Sequence, residues 1–133
     1  MTDLSTLIVD DDPDIRQLFR KWFERSGFAV REAGDGWTAL RMLDVPPRPN
    51  LVCVDIVLPG ISGLELCEKI RSDPMLHRTA ILVITARGMP QDIAEARSAG
   101  ANAVLVKPIR FEILMRTALV LAALTHNSRE VFK

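Results

Sequence analysis

Leu51-Val52-Cys53-Val54-Asp55-Ile56-Val57-Leu58-Pro59-Gly60 sets four apolar residues directly before one carboxylate and closes in a Pro-Gly turn signal. A continuous apolar run of this length, ended by Pro-Gly, predicts a strand buried on both faces. Asp55 then stands at the carboxyl end of a central strand, the edge at which open α/β sheets place their ligands. A carboxylate there is costly unless something pairs with it.

The flanking sequence supplies the rest of such a sheet. Leu7-Ile8-Val9 is a short apolar strand running into Asp10-Asp11-Asp12, and Asp12-Pro13 starts a helix with Asp as N-cap and Pro at the first helical position. Ile15, Leu18, Phe19, Trp22 and Phe23 repeat at helical spacing, and Gly27 is the expected stop. Phe28 to Ala33 reads as a more polar strand near an edge, Trp37 to Leu43 as a short helix, and Pro46-Pro47-Arg48-Pro49 as a stiff connection. Ser62-Gly63-Leu64-Glu65 has capping-box spacing and opens a helix to about Ser72. Ala80 to Thr85 is a second fully apolar strand, followed by a helix from Pro90 to Ala99 closed by Gly100. Ala103-Val104-Leu105-Val106 reads as a last buried strand ending in Lys107-Pro108, with a final helix from Phe111 to about Leu124 and a frayed tail at His126–Lys133. Strict β-α alternation predicts a parallel five-stranded sheet, and right-handed crossovers make it doubly wound.

Composition narrows the function classes. The 133 residues suit one domain, with 48% hydrophobic and 26% charged. Seventeen basic and 17 acidic side chains cancel, which gives no support to direct nucleic-acid binding by this segment. Cys53 and Cys67 lack metal-ligand spacing and read as reduced core thiols of a cytoplasmic protein. Met1-Thr2-Asp3 is no basic signal-peptide start, and no apolar run reaches the roughly 18 residues of a membrane span.

Four strands therefore end in functional groups at one sheet edge: Asp10-Asp11, Asp55, Thr85 and Lys107. Two carboxylates about 4 Å apart repel by roughly 4 kcal/mol at an effective dielectric near 20. Asp10, Asp11 and Asp55 thus call for cations: Lys107, and a hard divalent ion such as Mg²⁺ in an all-oxygen, partly hydrated site. Nucleotide and flavin sites put Gly, Ser or Thr after the first strand, whereas three aspartates there repel a phosphate unless a metal bridges it. With a metal, Asp55 can serve as a nucleophile that accepts a phosphoryl group, with Lys107 and the Thr85 hydroxyl on its oxygens.

Over residues 4–124 these features resemble the receiver domain of two-component response regulators. The matching pieces are Leu7 to Asp12, Asp55 with Leu58-Pro59-Gly60 and Gly63, Thr85-Ala86, and Lys107-Pro108, with Asp11–Asp55, Asp55–Thr85 and Asp55–Lys107 separations of 44, 30 and 52. The resemblance implies a flavodoxin-like (βα)5 fold with strand order 2-1-3-4-5, a receiver over residues 1–124, and a tail or linker start at 125–133. It implies Asp55 as phosphoacceptor; Asp10, Asp11, Asp55 and the Val57 backbone carbonyl as Mg²⁺ ligands; Thr85 as switch hydroxyl; Lys107 as phosphoryl contact; and a cis Lys107–Pro108 bond. It further implies a regulatory phosphoacceptor rather than an enzyme. The partners would be a sensor histidine kinase or phosphotransfer protein upstream, and a protein target or fused output domain downstream.

Three positions depart from the family pattern. Val104 stands where an aromatic usually pairs with the switch hydroxyl. Val57 and Arg87 flank the expected line of water attack without an amide or carboxylate, which implies slow autodephosphorylation. Ala118 to Leu124 is apolar all round, which fits either a deeply seated helix shielded by the tail or a homodimer or partner surface. Two rival functions remain: a receiver-like interaction module that is never phosphorylated, and a haloacid-dehalogenase-like phosphatase, whose D-x-D spacing Asp10–Asp12 shares but whose motif Pro13 does not continue.

Overall fold

Three strands stack their apolar residues into the middle of the molecule, and two others close its edges. The computed structural model describes residues 4–131, with side chains from Leu4 through Thr125. Its elements are β1 (Ser5–Val9), α1 (Pro13–Arg25), β2 (Ala29–Ala33), α2 (Gly36–Leu43), β3 (Leu51–Val54), α3 (Gly63–Ser72), β4 (Ala80–Thr85), α4 (Pro90–Ala99), β5 (Ala103–Val106) and α5 (Phe111–Val131). All pairings are parallel and the order is β2-β1-β3-β4-β5, the flavodoxin-like order implied by the resemblance.

Strand periodicity divides the core in two. Leu7, Val9, Val52, Val54, Ile81 and Val83 face α2, α3 and α4 through Leu43, Leu66, Cys67, Ile70 and Ala96. Ile8, Leu51, Cys53, Leu82 and Ile84 face α1 and α5 through Phe19, Phe23, Leu114, Met115, Ala118 and Ala122. Each fully buried large side chain contributes about 1.5–3 kcal/mol relative to exposure. Edge-on contacts of Phe23 with Phe28 (centroids 4.9 Å apart) and of Trp22 with Phe111 (5.6 Å) tie α1 to the residue preceding β2 and to α5.

Helix starts follow their sequence signals. The Asp12 carboxylate accepts the N–H groups of Asp14 and Ile15, and the Ser62 hydroxyl accepts that of Glu65. Gly100 closes α4 at φ 116°. Both cysteines are free and buried. Lys107–Pro108 is cis, and so is Pro46–Pro47, which the sequence did not suggest.

Two expectations need correction. β5 is only half-buried, and Val106 is exposed, because it forms the sheet edge and one flank lacks a neighbouring strand. The last helix does not stop near Leu124: helical backbone continues through Val131, so most of the stretch expected as a frayed tail is helical, while residues 132 and 133 lie outside the described residues. Thr125, a weak helix former, is accommodated by returning its hydroxyl to the Leu121 carbonyl at 3.1 Å. The apolar run of α5 resolves into two faces: Ala118 and Ala122 pack on the sheet, whereas Val120 and Leu124 are exposed.

Candidate functional site

Register assembles the site. Val9 is level with Val54, Val54 with Val83, and Thr85 with Val106. Asp10, Asp55 and Lys107 are the residues that follow three of these strand ends, so parallel pairing alone delivers them to one edge. The Asp55 N–H donates to the Val9 carbonyl at 3.0 Å and carries the β1–β3 ladder one residue further. Beneath it, the Gly63 N–H donates to the Ile56 carbonyl at 2.8 Å, and a Cβ at Gly63 would collide with the Asp55 carbonyl oxygen. Gly63 is therefore required for close approach of α3, not for an unusual dihedral.

The ammonium of Lys107 joins the two carboxylates. Its Nζ donates to Asp10 Oδ2 and to Asp55 Oδ2, each at 2.9 Å. Asp10 and Asp55 are 4% and 9% exposed, so both charges sit where water screens them poorly. Burial by itself lowers the Lys107 pKa; the hydrogen bonds and negative charges of Asp55 and Asp10 outweigh that and raise it above its ordinary value. Each carboxylate also accepts a backbone N–H on its other oxygen: Asp12 to Asp10 Oδ1 at 2.9 Å, and Val57 to Asp55 Oδ1 at 3.2 Å. These bonds fix both side chains before any ligand arrives.

The remaining expected residues are placed differently. Asp11 is exposed at the rim, outside the Asp10–Lys107–Asp55 group. Val57 is exposed beside Asp55. Thr85 is fully buried; its hydroxyl oxygen accepts the Arg87 N–H at 3.1 Å, and its carbonyl accepts the Lys107 N–H at 2.8 Å. Val104 is half-buried against the α2–α4 side of the core, so no aromatic stands at that position.

The donor set suits a hard cation. Beside Lys107 the donors are the carboxylate oxygens of Asp10 and Asp55, both held by backbone N–H groups. Among the described residues, no three His, Cys, Asp or Glu side chains are gathered as a ready metal cluster. Mg²⁺ does not need one, since it binds through one or two carboxylates and keeps several waters. The paired carboxylates of Asp10 and Asp55 fit that demand.

Sequence reasoning passed over two groups. Asp92, in the first turn of α4, is buried, accepts the Met89 N–H at 3.2 Å and pairs with Arg87 at 3.3 Å. Its position as the third residue of a helix was the available signal. Arg71 bonds the carbonyls of His77, Thr79 and Gly100 and the Asn102 side chain. Nothing in its local sequence pointed there.

The family model described as the response regulator receiver domain matches residues 6–119. The chain belongs to that family. Among curated relatives, it is 34% identical over 126 residues to the transcriptional regulatory protein AfsQ1 of Streptomyces coelicolor, covering 95% of this chain and 53% of that protein. It is also 34% identical over 123 residues to the DNA-binding dual master transcriptional regulator RpaA of Synechocystis, covering 92% and 50%. This receiver chain thus spans about half the length of the curated relatives it matches. Among solved structures, a putative response regulator from Chloroflexus aurantiacus aligns at TM-score 0.87 and 31% identity, over 92% of this chain and 99% of that one. The chemotaxis response regulator CheY4 of Vibrio cholerae aligns at 0.84 and 30%, over 90% and 99%. Both have the fold described above. Among the described residues of the receiver, no helix is long and apolar enough to cross a membrane.

Proposed function

We propose that Asp55 accepts a phosphoryl group and that the resulting aspartyl-phosphate switches the domain between two conformations. The observation that carries this reading is the bridge from Lys107 Nζ to Asp55 and Asp10. It holds one carboxylate oxygen of Asp55 at the sheet edge and sets a cation where phosphoryl charge would arrive.

An Asp55 oxygen attacks phosphorus, and the bond to the donor breaks as the leaving atom keeps its electron pair. The donor is a phosphohistidine of a sensor kinase or phosphotransfer protein, or a small acyl phosphate. Phosphoryl transfer asks the protein mainly for positioning and charge neutralisation. Asp10, Asp11, Asp55 and the Val57 carbonyl would hold Mg²⁺, which supplies positive charge for the phosphoryl oxygens. Lys107 swings from the carboxylates to a phosphoryl oxygen. Thr85 leaves the Arg87 N–H and donates its hydroxyl to another. Moving a two-state equilibrium from 1:99 to 99:1 takes about 5.5 kcal/mol. A few charge-assisted bonds of roughly 1.5–3 kcal/mol each supply that.

The domain then regulates rather than turns over a separate substrate, and its setting is the cytoplasm, where the kinase's phosphoryl donor is available. The relatives' names, with their greater length, favour transmission to a fused output domain or a downstream protein. Labelling with radioactive acetyl phosphate in the presence of Mg²⁺ tests the reading. The wild type takes up label, and Asp55→Asn takes up none. Label that persists in Asp55→Asn and disappears in Asp10→Asn overturns the assignment in favour of a dehalogenase-like nucleophile. A wild type that takes up no label favours a pure interaction module.

A further inference from the structure

We propose that Arg87 and Asp92 form a latch that holds Thr85 in its resting position and couples the phosphoryl site to the start of α4. The inference rests on the phosphoacceptor reading of Asp55 and concerns residues that reading does not use.

Three contacts run in series. The Arg87 N–H donates to Thr85 Oγ1 at 3.1 Å. The Arg87 guanidinium pairs with Asp92 Oδ1 at 3.3 Å. The other carboxylate oxygen of Asp92, Oδ2, accepts the Met89 N–H at 3.2 Å, immediately before α4. Asp92 is buried, with its side chain 10% exposed, whereas Arg87 is 58% exposed. A buried carboxylate requires partners, and here both come from the loop that also holds the switch hydroxyl. The loop's backbone and side chain are therefore fixed at opposite ends, one on Thr85 and one on α4.

This arrangement takes the position in the relay that Val104 leaves open. In this latch, Thr85 gives up the Arg87 N–H as it turns toward Asp55. Loss of that bond frees the Arg87 backbone, which in turn shifts the guanidinium on Asp92 and the first turn of α4. Arg87 and Asp92 are thus positioning residues: they act through Thr85 and touch no reacting atom. By linkage, whatever weakens the resting latch must tighten binding of a phosphoryl group.

Asp92→Asn removes the charge and keeps an acceptor for the Met89 N–H, and Arg87→Met removes the pair from its exposed end. In the resting protein, hydrogen exchange at the Arg87 amide is expected to quicken about threefold in both, the scale of one partly exposed ion pair. The affinity for beryllium fluoride with Mg²⁺, a phosphoryl stand-in measured by calorimetry, is expected to rise by about the same factor. In a Thr85→Ala background the affinity gain must vanish, since no hydroxyl remains to be held. Unchanged affinity in both variants, or a gain that persists with Thr85→Ala, overturns the latch. If the wild type binds no beryllium fluoride and takes up no label at Asp55, the phosphoacceptor reading fails and the latch fails with it. A labelled wild type without coupling removes the latch alone.

Discussion

Lys107 and Asp55 lie 52 residues apart in the chain and 2.9 Å apart in space. The same ammonium is 2.9 Å from Asp10, so one cation serves two nearly buried carboxylates. Removing it leaves two like charges that a proton or a metal must relieve. Lys107→Met is expected to cost about 2–3 kcal/mol of stability in EDTA, the scale of an uncompensated buried charge softened by partial exposure. Millimolar MgCl₂ should restore more stability to this variant than to the wild type. Urea unfolding with and without the metal checks it, and an equal Mg²⁺ effect on both proteins argues against a shared acidic site.

The aspartyl-phosphate is expected to decay slowly. Val57 is 55% exposed beside Asp55 and offers a water no hydrogen-bonding group from its side chain. The Arg87 guanidinium is turned to Asp92. Val57→Asn adds an amide able to orient the attacking water and should quicken decay severalfold, within the range of a single positioned polar group. Following loss of radiolabel after donor removal decides the matter: fast wild-type decay that Val57→Asn leaves unchanged refutes the proposal.

The parallel sheet was legible because apolar runs at β3 and β4 and the capping signals at Asp12 and Ser62 agree with one another. Once the strands are parallel, the convergence of Asp10, Asp55 and Lys107 follows from register alone. Other features depend on position in space. β5 is as apolar as β3, yet it lies at an edge, and composition does not tell edge from centre. The turn of the Thr85 hydroxyl toward Arg87 reflects a competition between local and distant partners that spacing does not encode. Arg71 gave no sign because its acceptors, three backbone carbonyls and the Asn102 side chain, are brought together by two separate loops.

The thiols predict an alkaline limit. Burial pushes Cys53 and Cys67 from 9.0 up to about 12. On unfolding, each thiol ionises from 9.0 upward, while the folded protein still holds the proton. Their contribution is therefore fully present below pH 9.0 and is lost as pH rises toward about 12. The loss is about 1.4 kcal/mol per pH unit for each thiol. Urea midpoints between pH 9 and 12 should fall less steeply in a Cys53→Ala/Cys67→Ala protein than in the wild type, and parallel slopes would assign the alkaline loss to other groups. Both thiols should also resist alkylation until denaturant is added.

Arg71 is expected to be the most sensitive charged residue for stability outside the proposed phosphoryl site. A guanidinium has five N–H donors. Here Nε and Nη2 reach the Gly100 carbonyl at 3.0 and 2.7 Å, Nη1 reaches His77 and Thr79 at 3.0 and 2.6 Å, and Nη2 also reaches Asn102 Oδ1 at 2.9 Å. The group pins the end of α3 to the loops that begin β4 and β5. Burial lowers its pKa from the ordinary value, the signature of a charge held mainly by neutral acceptors. Lysine keeps the charge but has only three donors at one point, so Arg71→Lys strands carbonyls that water reaches poorly. The expected loss is about 2–3 kcal/mol, with an unchanged urea m-value and undiminished Asp55 labelling in the folded fraction. A stability within about 0.5 kcal/mol of wild type would mean that water replaces these bonds without cost.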